Sequence, residues 1–151
     1  MPSDNHVKAG LALIEDKSKV LGLTIGSHEN VQPGTWLPRK ATQEPPKLSF
    51  AGANPTSTYL VSDIKVTSEG VLVSDAPFIA NYIGPAPPPM SAPHRYMFFL
   101  YEQPAGFDLT AHAPAGGKKF GNSNRMRYDL DAWAENIKLG PLVAFNYLTC
   151  N

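Results

Sequence analysis

Tyr82-Ile83-Gly84-Pro85-Ala86-Pro87-Pro88-Pro89-Met90-Ser91-Ala92-Pro93-His94-Arg95-Tyr96-Met97-Phe98-Phe99-Leu100-Tyr101-Glu102 is the stretch that decides the fold. Its prolines cannot donate ladder hydrogen bonds, and they hold the Gly84–Pro89 backbone extended as a loop. Beyond the loop, Arg95 to Glu102 is the strongest strand signal in the chain. Its aromatic and apolar run is unbroken from Tyr96 to Tyr101, which predicts a strand covered on both faces. On such a strand His94 and Tyr96 share a side, and Arg95 points the other way.

Working outward, the signals are mostly those of strands and turns. Upstream, Val71 to Val73 comes after the turn Ser68-Glu69-Gly70, and Tyr59 to Val66 before it reads as one strand. Lys47 to Phe50 is a short strand framed by Pro45-Pro46 and Gly52. Val31-Gln32-Pro33-Gly34 is a turn, and Val20 to Ile25 is a strand with Gly22 inside it. Residues 5–17 read as a short helix, with Val7, Leu11 and Ile14 at helical spacing and Ser3 or Asp4 as its cap. Downstream, Leu130, Trp133 and Ile137 mark a helix over Asp129–Leu139 that stops at Gly140-Pro141. Leu142 to Thr149 is a closing strand. Trp36 and Trp133 read as core residues.

Composition narrows the classes. At 151 residues the chain is read as one domain, 1–151, long enough to bury a core. Its 13 Lys and Arg balance 13 Asp and Glu, so no global field favours nucleic acid. The 15 prolines favour strands and fixed loops over a helical bundle. Cys150, the single cysteine, cannot form an internal disulfide or build a zinc site, and a reducing, cytoplasmic setting fits it. No run approaches the roughly 20 apolar residues of a membrane helix. No cofactor or metal motif is present; Gly116-Gly117-Lys118-Lys119 lacks phosphate-loop spacing. His112 reads as a solvated loop residue, and Lys118, Lys119, Arg125 and Arg127 as a solvated basic face.

The segment Tyr82 to Tyr96, with its continuation to Leu100-Tyr101-Glu102-Gln103, resembles the second signature block of the phosphatidylethanolamine-binding proteins. The Gly-x-x-Pro-Pro loop, the His-Arg-Tyr triplet and the aromatic strand stand at the family's spacing. Val31 to Leu37, Leu48-Ser49-Phe50, Asp129 to Glu135 and Val143 to Tyr147 are similar to other family segments, in a flavour of the fungal members. The resemblance implies an all-β class: a predominantly antiparallel β-sandwich with a few peripheral helices. One departure stands out. The family's first block, a strand ending in Asp-Pro-Asp-Ala-Pro and a loop leading to a second histidine, has no counterpart. The sequence passes from Ala53-Asn54-Pro55 to Thr58-Tyr59-Leu60 as though one central strand and a loop were missing. Ser74-Asp75-Ala76-Pro77 lies too close to Gly84 to replace them.

In the family the histidine at position 94 lines a small anion-binding cavity. The resemblance therefore implies a ligand site of His94, Tyr96, Tyr82, Gly84, Pro88 and Tyr147, with Ala86 where many members have a second glycine. An imidazole and phenols there would hydrogen-bond a phosphate or carboxylate. The first function implied is a module binding a small anion or a phospholipid head group, with affinity reduced by the missing groups. A second is an inhibitor or scaffold acting on a kinase or serine carboxypeptidase through the loop from Gly84 to Pro93. A third is an accessory protein of fungal secondary metabolism that assists dehydration or cyclisation by proton transfer. No nucleophile with a base and orienter is apparent, so the chain leans away from catalysis. The missing strand predicts reduced stability, exposed apolar surface near Leu48, Phe50 and Leu60, and an open sheet edge suited to dimerisation.

Overall fold

A computed structural model describes residues 4–54, 56–57, 59–60, 64–75, 80, 82–108, 111, 125 and 128–151. Ser3, His112, Lys118, Lys119 and Arg127 lie outside the described residues, as does part of the expected strand from Tyr59 to Val66. Two four-stranded sheets carry the fold. One has the order β1 (Gly22–Thr24), β3 (Lys47–Ser49), β6 (Val71–Val73) and β5 (Lys65–Val66), with every neighbouring pair antiparallel. The other has the order β2 (Thr35–Trp36), β8 (Leu142–Cys150), β7 (His94–Glu102) and β4 (Tyr59–Leu60). Here β7 is antiparallel to both β8 and β4, and β2 runs parallel to β8. The long β7–β8 pair is the centre of the molecule.

Between the sheets sits a core of Leu21, Leu23, Phe50 and Leu72 from one side and Leu100, Ala144, Leu148 and Cys150 from the other. The opposite face of β7 and β8 is covered too. Helix α1 (Asp4–Leu13) lies on β8, and Tyr101 and Ile137 anchor a second cluster with Phe99, Phe107, Trp133 and Leu142. Cover on both faces explains why the β7 run is continuously apolar instead of alternating. Gly10 is where α1 comes closest: a Cβ there would stand 2.7 Å from the Phe145 ring.

The expected helix over 5–17 ends earlier, at Leu13, because Asp16 caps a separate 3₁₀ turn, accepting from the Ser18 N–H at 2.9 Å. The strand from Val20 shifts from one sheet to the other: Val20 bridges to Phe145, and Gly22 to Thr24 pair with β3. A further helix, α2 (Leu130–Asn136), has Asp129 as its N-cap, accepting from Ala132 N–H at 3.0 Å. It ends in a Schellman motif, with Lys138 at φ 51 and Leu139 N–H bonded to Ala134 O at 2.8 Å. The stop therefore falls on Lys138. Gly140 serves a different need, since a Cβ there would stand 2.2 Å from the Glu102 carbonyl oxygen.

Three expectations are corrected. Tyr59 to Val66 is not one strand: Tyr59 and Ile64 exchange backbone hydrogen bonds at 2.9 and 3.1 Å, and the chain folds back. In a continuous strand residues of opposite parity would face opposite sides, whereas the fold-back puts both side chains in the core, at 3% and 5% exposure. Phe50 is buried, not exposed, because its N–H bonds Gly70 O and Gly52 packs on its ring; Leu48 is half-buried. Trp36 is not core. It stands on the edge strand β2, half exposed, donating from Nε1 to Asn151 Oδ1 at 2.7 Å. No described helix is long and apolar enough to cross a membrane.

Candidate functional site

The loop from Tyr82 to Pro89 is held from beneath by the 3₁₀ turn Arg39–Thr42 and by Gln43. Tyr82 donates its hydroxyl to the Thr42 carbonyl at 3.0 Å. Gln43 Nε2 donates to Arg39 O at 2.7 Å and to Pro85 O at 3.0 Å, clamping turn and loop together. Gly84 lies where no side chain fits: its Cβ would stand 2.7 Å from Thr42 O and 2.8 Å from Gln43 Cα. Close backbone approach is thus the reason for glycine here, since no positive φ is involved. Pro85 and Pro87 turn inward and are buried, whereas Ile83, Ala86, Pro88, Pro89 and Met90 are exposed. Proline stiffness and these two clamps make a preorganised loop.

His94 opens β7 opposite Cys150, and Tyr96 sits opposite Leu148. Alternation puts His94, Tyr96 and Cys150 on the face that looks toward the loop and core. The Tyr96 hydroxyl lies near the Ala86 backbone N–H. Burial pushes the Tyr96 phenol up, the neighbouring Cys150 thiol adds to the rise, and the Ala86 N–H and Arg39 pull it down. Tyr82 is also pushed up, first by burial and then by Cys150. Both phenols therefore stay protonated across the physiological range and act as hydrogen-bonding groups, not as bases. Cys150 is fully buried between them.

The structure brings together Tyr82, Gly84, Tyr96 and the loop. His94 stands exposed at the rim, and Pro88 faces outward from the same loop. Tyr147 is apart. It pairs with Met97, on the other face of the sheet, where it stacks on Phe145 at 6.1 Å and approaches Gly34. Sequence reasoning missed Arg39, Thr42, Gln43 and Cys150. The first three lie in an unremarkable polar stretch, and Cys150 enters only through its register opposite His94. On the other side of the Arg39–Gln43 turn is an open cleft of about 490 Å³ lined by Gly26, Ser27, Pro38, Lys40, Ala41, Gln43 and Glu44. Among the described residues no group of His, Cys, Asp and Glu is placed to hold a metal ion.

A family model described as phosphatidylethanolamine-binding protein matches residues 64–148, more than half of the chain. The chain belongs to the phosphatidylethanolamine-binding protein family. Within that family it is 36% identical to the carboxypeptidase Y inhibitor of Saccharomyces cerevisiae over 69 residues, which is 46% of this chain and 31% of the inhibitor. It is 48% identical to an uncharacterized protein of the same yeast over 46 residues, 30% of this chain and 20% of that protein. The aligned parts thus span less than a third of either relative. In fold it is similar to the crystal structure of carboxypeptidase Y inhibitor complexed with its cognate proteinase. The TM-score is 0.64 at 22% identity, over 98% of this chain and 93% of that one. The family match begins at Ile64. It covers the proline loop, β7 and nearly all of β8.

Proposed function

We propose that this member of the family is a non-catalytic binding module that recognises a protein partner, a serine carboxypeptidase, through its proline loop. The observation that carries the reading is the shape of that loop. Its inner side is clamped by Tyr82 and Gln43, and its outer side projects Ile83, 56% exposed, and Met90, fully exposed. Met90 has φ 62, in a turn closed by the Ser91 N–H and hydroxyl, both donating to Pro88 O. An unbranched apolar side chain held in a costly backbone conformation at a loop apex marks a functional projection. Rigid loops lose little entropy on docking, and exposed apolar anchors carry most of an interface's energy. The similarity to an inhibitor of carboxypeptidase Y supports the choice of partner class.

The test is inhibition of a purified serine carboxypeptidase by the full chain, with the double variant Ile83→Asp, Met90→Asp alongside. Two central apolar anchors carry about 2 kcal/mol or more each when truncated, so the variant is expected to bind at least about a hundredfold more weakly. A native chain that neither inhibits nor binds the enzyme refutes the reading.

A second reading is favoured by a separate observation. Arg39 lies near enough to pull the Tyr96 phenol down, and His94 stands exposed on the same strand face. These two groups with the Tyr96 phenol would receive a small phosphate or carboxylate. Tyr96 is only partly exposed whereas His94 is exposed, so binding is expected to be weak and to rest on His94. Phosphate titration followed by NMR should shift the His94 ring resonances at millimolar concentration, and His94→Ala should abolish saturation. A saturable response that survives His94→Ala would place the anion elsewhere.

A further inference from the structure

Helix α1 is joined to the rest of the molecule in an unusual way. Of its residues whose burial is described, Gly10 alone is buried, and Val7, Leu11 and Leu13 are half-buried. A helix of 10 residues is marginal by itself in water. Its polar attachment runs through His6. The His6 Nδ1 lies 2.5 Å from the Tyr101 hydroxyl on β7, and Nε2 lies 2.9 Å from Asp131 Oδ1 on α2. The imidazole also meets Phe99 and Tyr101 edge-on, at 6.5 and 5.7 Å. One side chain therefore ties three elements that are far apart in sequence. Beneath the helix, the outer face of β7 and β8 is a contiguous aromatic stripe: Phe99 meets Phe145 at 4.9 Å and stacks on Tyr101 at 6.2 Å.

We infer that α1 is a detachable strap over this stripe, latched by His6, that opens while the sandwich stays folded. The physical ground is the imbalance of its attachments. The sandwich is held by the long β7–β8 ladder and a shared core, whereas α1 packs on β8 with Gly10 buried and Val7, Leu11 and Leu13 only half-buried, and is tied by a bridging imidazole. Elements with few buried contacts open at free energies below that of global unfolding. Opening uncovers Phe99 and Phe145 and removes the His6 imidazole from Tyr101 and Asp131 together. The device is separate from the proline loop, which lies on the other face of the β7–β8 sheet.

Native-state hydrogen exchange by mass spectrometry on the full chain tests it. In the native protein the amides of α1 are expected to exchange through an opening insensitive to low denaturant, faster than those of β8. The His6→Ala variant should speed exchange in α1 by about tenfold or more, the size expected from losing a charge-assisted bond, with β7 and β8 unchanged. His6→Gln, which keeps a donor and an acceptor, should fall between. If α1 exchanges only with global unfolding in the native chain, the strap does not exist. If His6→Ala leaves α1 exchange unchanged, or speeds α1 and β8 equally, His6 is not its latch and the inference falls.

Discussion

Asn146→Leu is expected to cost about 3–5 kcal/mol of stability, even though the side chains are similar in size and the site is fully buried. Asn146 is in the middle of β8 and points into the core between the sheets. Its Nδ2 donates to Leu21 O at 2.7 Å and to Val31 O at 2.9 Å, and its Oδ1 accepts from the Tyr147 N–H at 2.7 Å. The two carbonyls flank β1, so this amide ties one sheet to the centre of the other. Leucine would remove all three bonds and leave their partners in a water-free space. Each buried group left unpaired costs about 1–3 kcal/mol, and the extra apolar contact returns only part of that. Chemical denaturation should show a lower midpoint with an unchanged m-value. A loss under about 1 kcal/mol would mean that the backbone finds other partners, and that Asn146 does not join the sheets.

The same residue shows where the sequence could and could not be read. Strand β7 was legible because six consecutive apolar residues leave few alternatives, and α2 because its apolar spacing ends at a cap and a Gly-Pro stop. The loop was legible from its prolines. The bracing of that loop was not. Gln43 and Thr42 act through a side-chain amide and a backbone carbonyl brought together only in three dimensions, and nothing in their local pattern marks them. Tyr147 was misgrouped with His94 because resemblance supplies residue identity but not parity. Once β8 pairs with β7 so that Cys150 faces His94, position 147 must face the other way. Trp36 was misread because a large aromatic usually signals core, and only the position of β2 at the edge of its sheet exposes it. The fold-back that pairs Tyr59 with Ile64 was not legible, because Tyr59 to Val66 carries strand-forming residues almost throughout.

Tyr59→Ala is expected to cost about 3–5 kcal/mol, the range for deleting a large buried aromatic side chain, and Tyr59→Phe only about 1 kcal/mol. Tyr59 sits just before the family match, which begins at Ile64. The chain turns tightly through Asn54, whose Oδ1 accepts from the Thr56 N–H and hydroxyl, and whose N–H donates to the Tyr59 hydroxyl at 2.8 Å. Tyr59 then pairs with Glu102 on β7 and with Ile64 across the fold-back, so its backbone is paired on both sides. Its ring, 3% exposed, fills core space among residues of both sheets. The two substitutions separate these roles. Alanine removes the ring and opens a cavity while keeping the backbone pairing; phenylalanine keeps the ring and removes only the bond that closes the turn. A large loss for alanine and a small one for phenylalanine, read from thermal and denaturant unfolding, would show that side-chain volume holds this end of the sheet. If phenylalanine costs as much as alanine, the turn itself holds this end of the sheet. If neither substitution costs more than about 1 kcal/mol, below the range for any buried aromatic, closure at this point does not depend on Tyr59, and the compact form of this family member must be explained by the β7–β8 ladder alone.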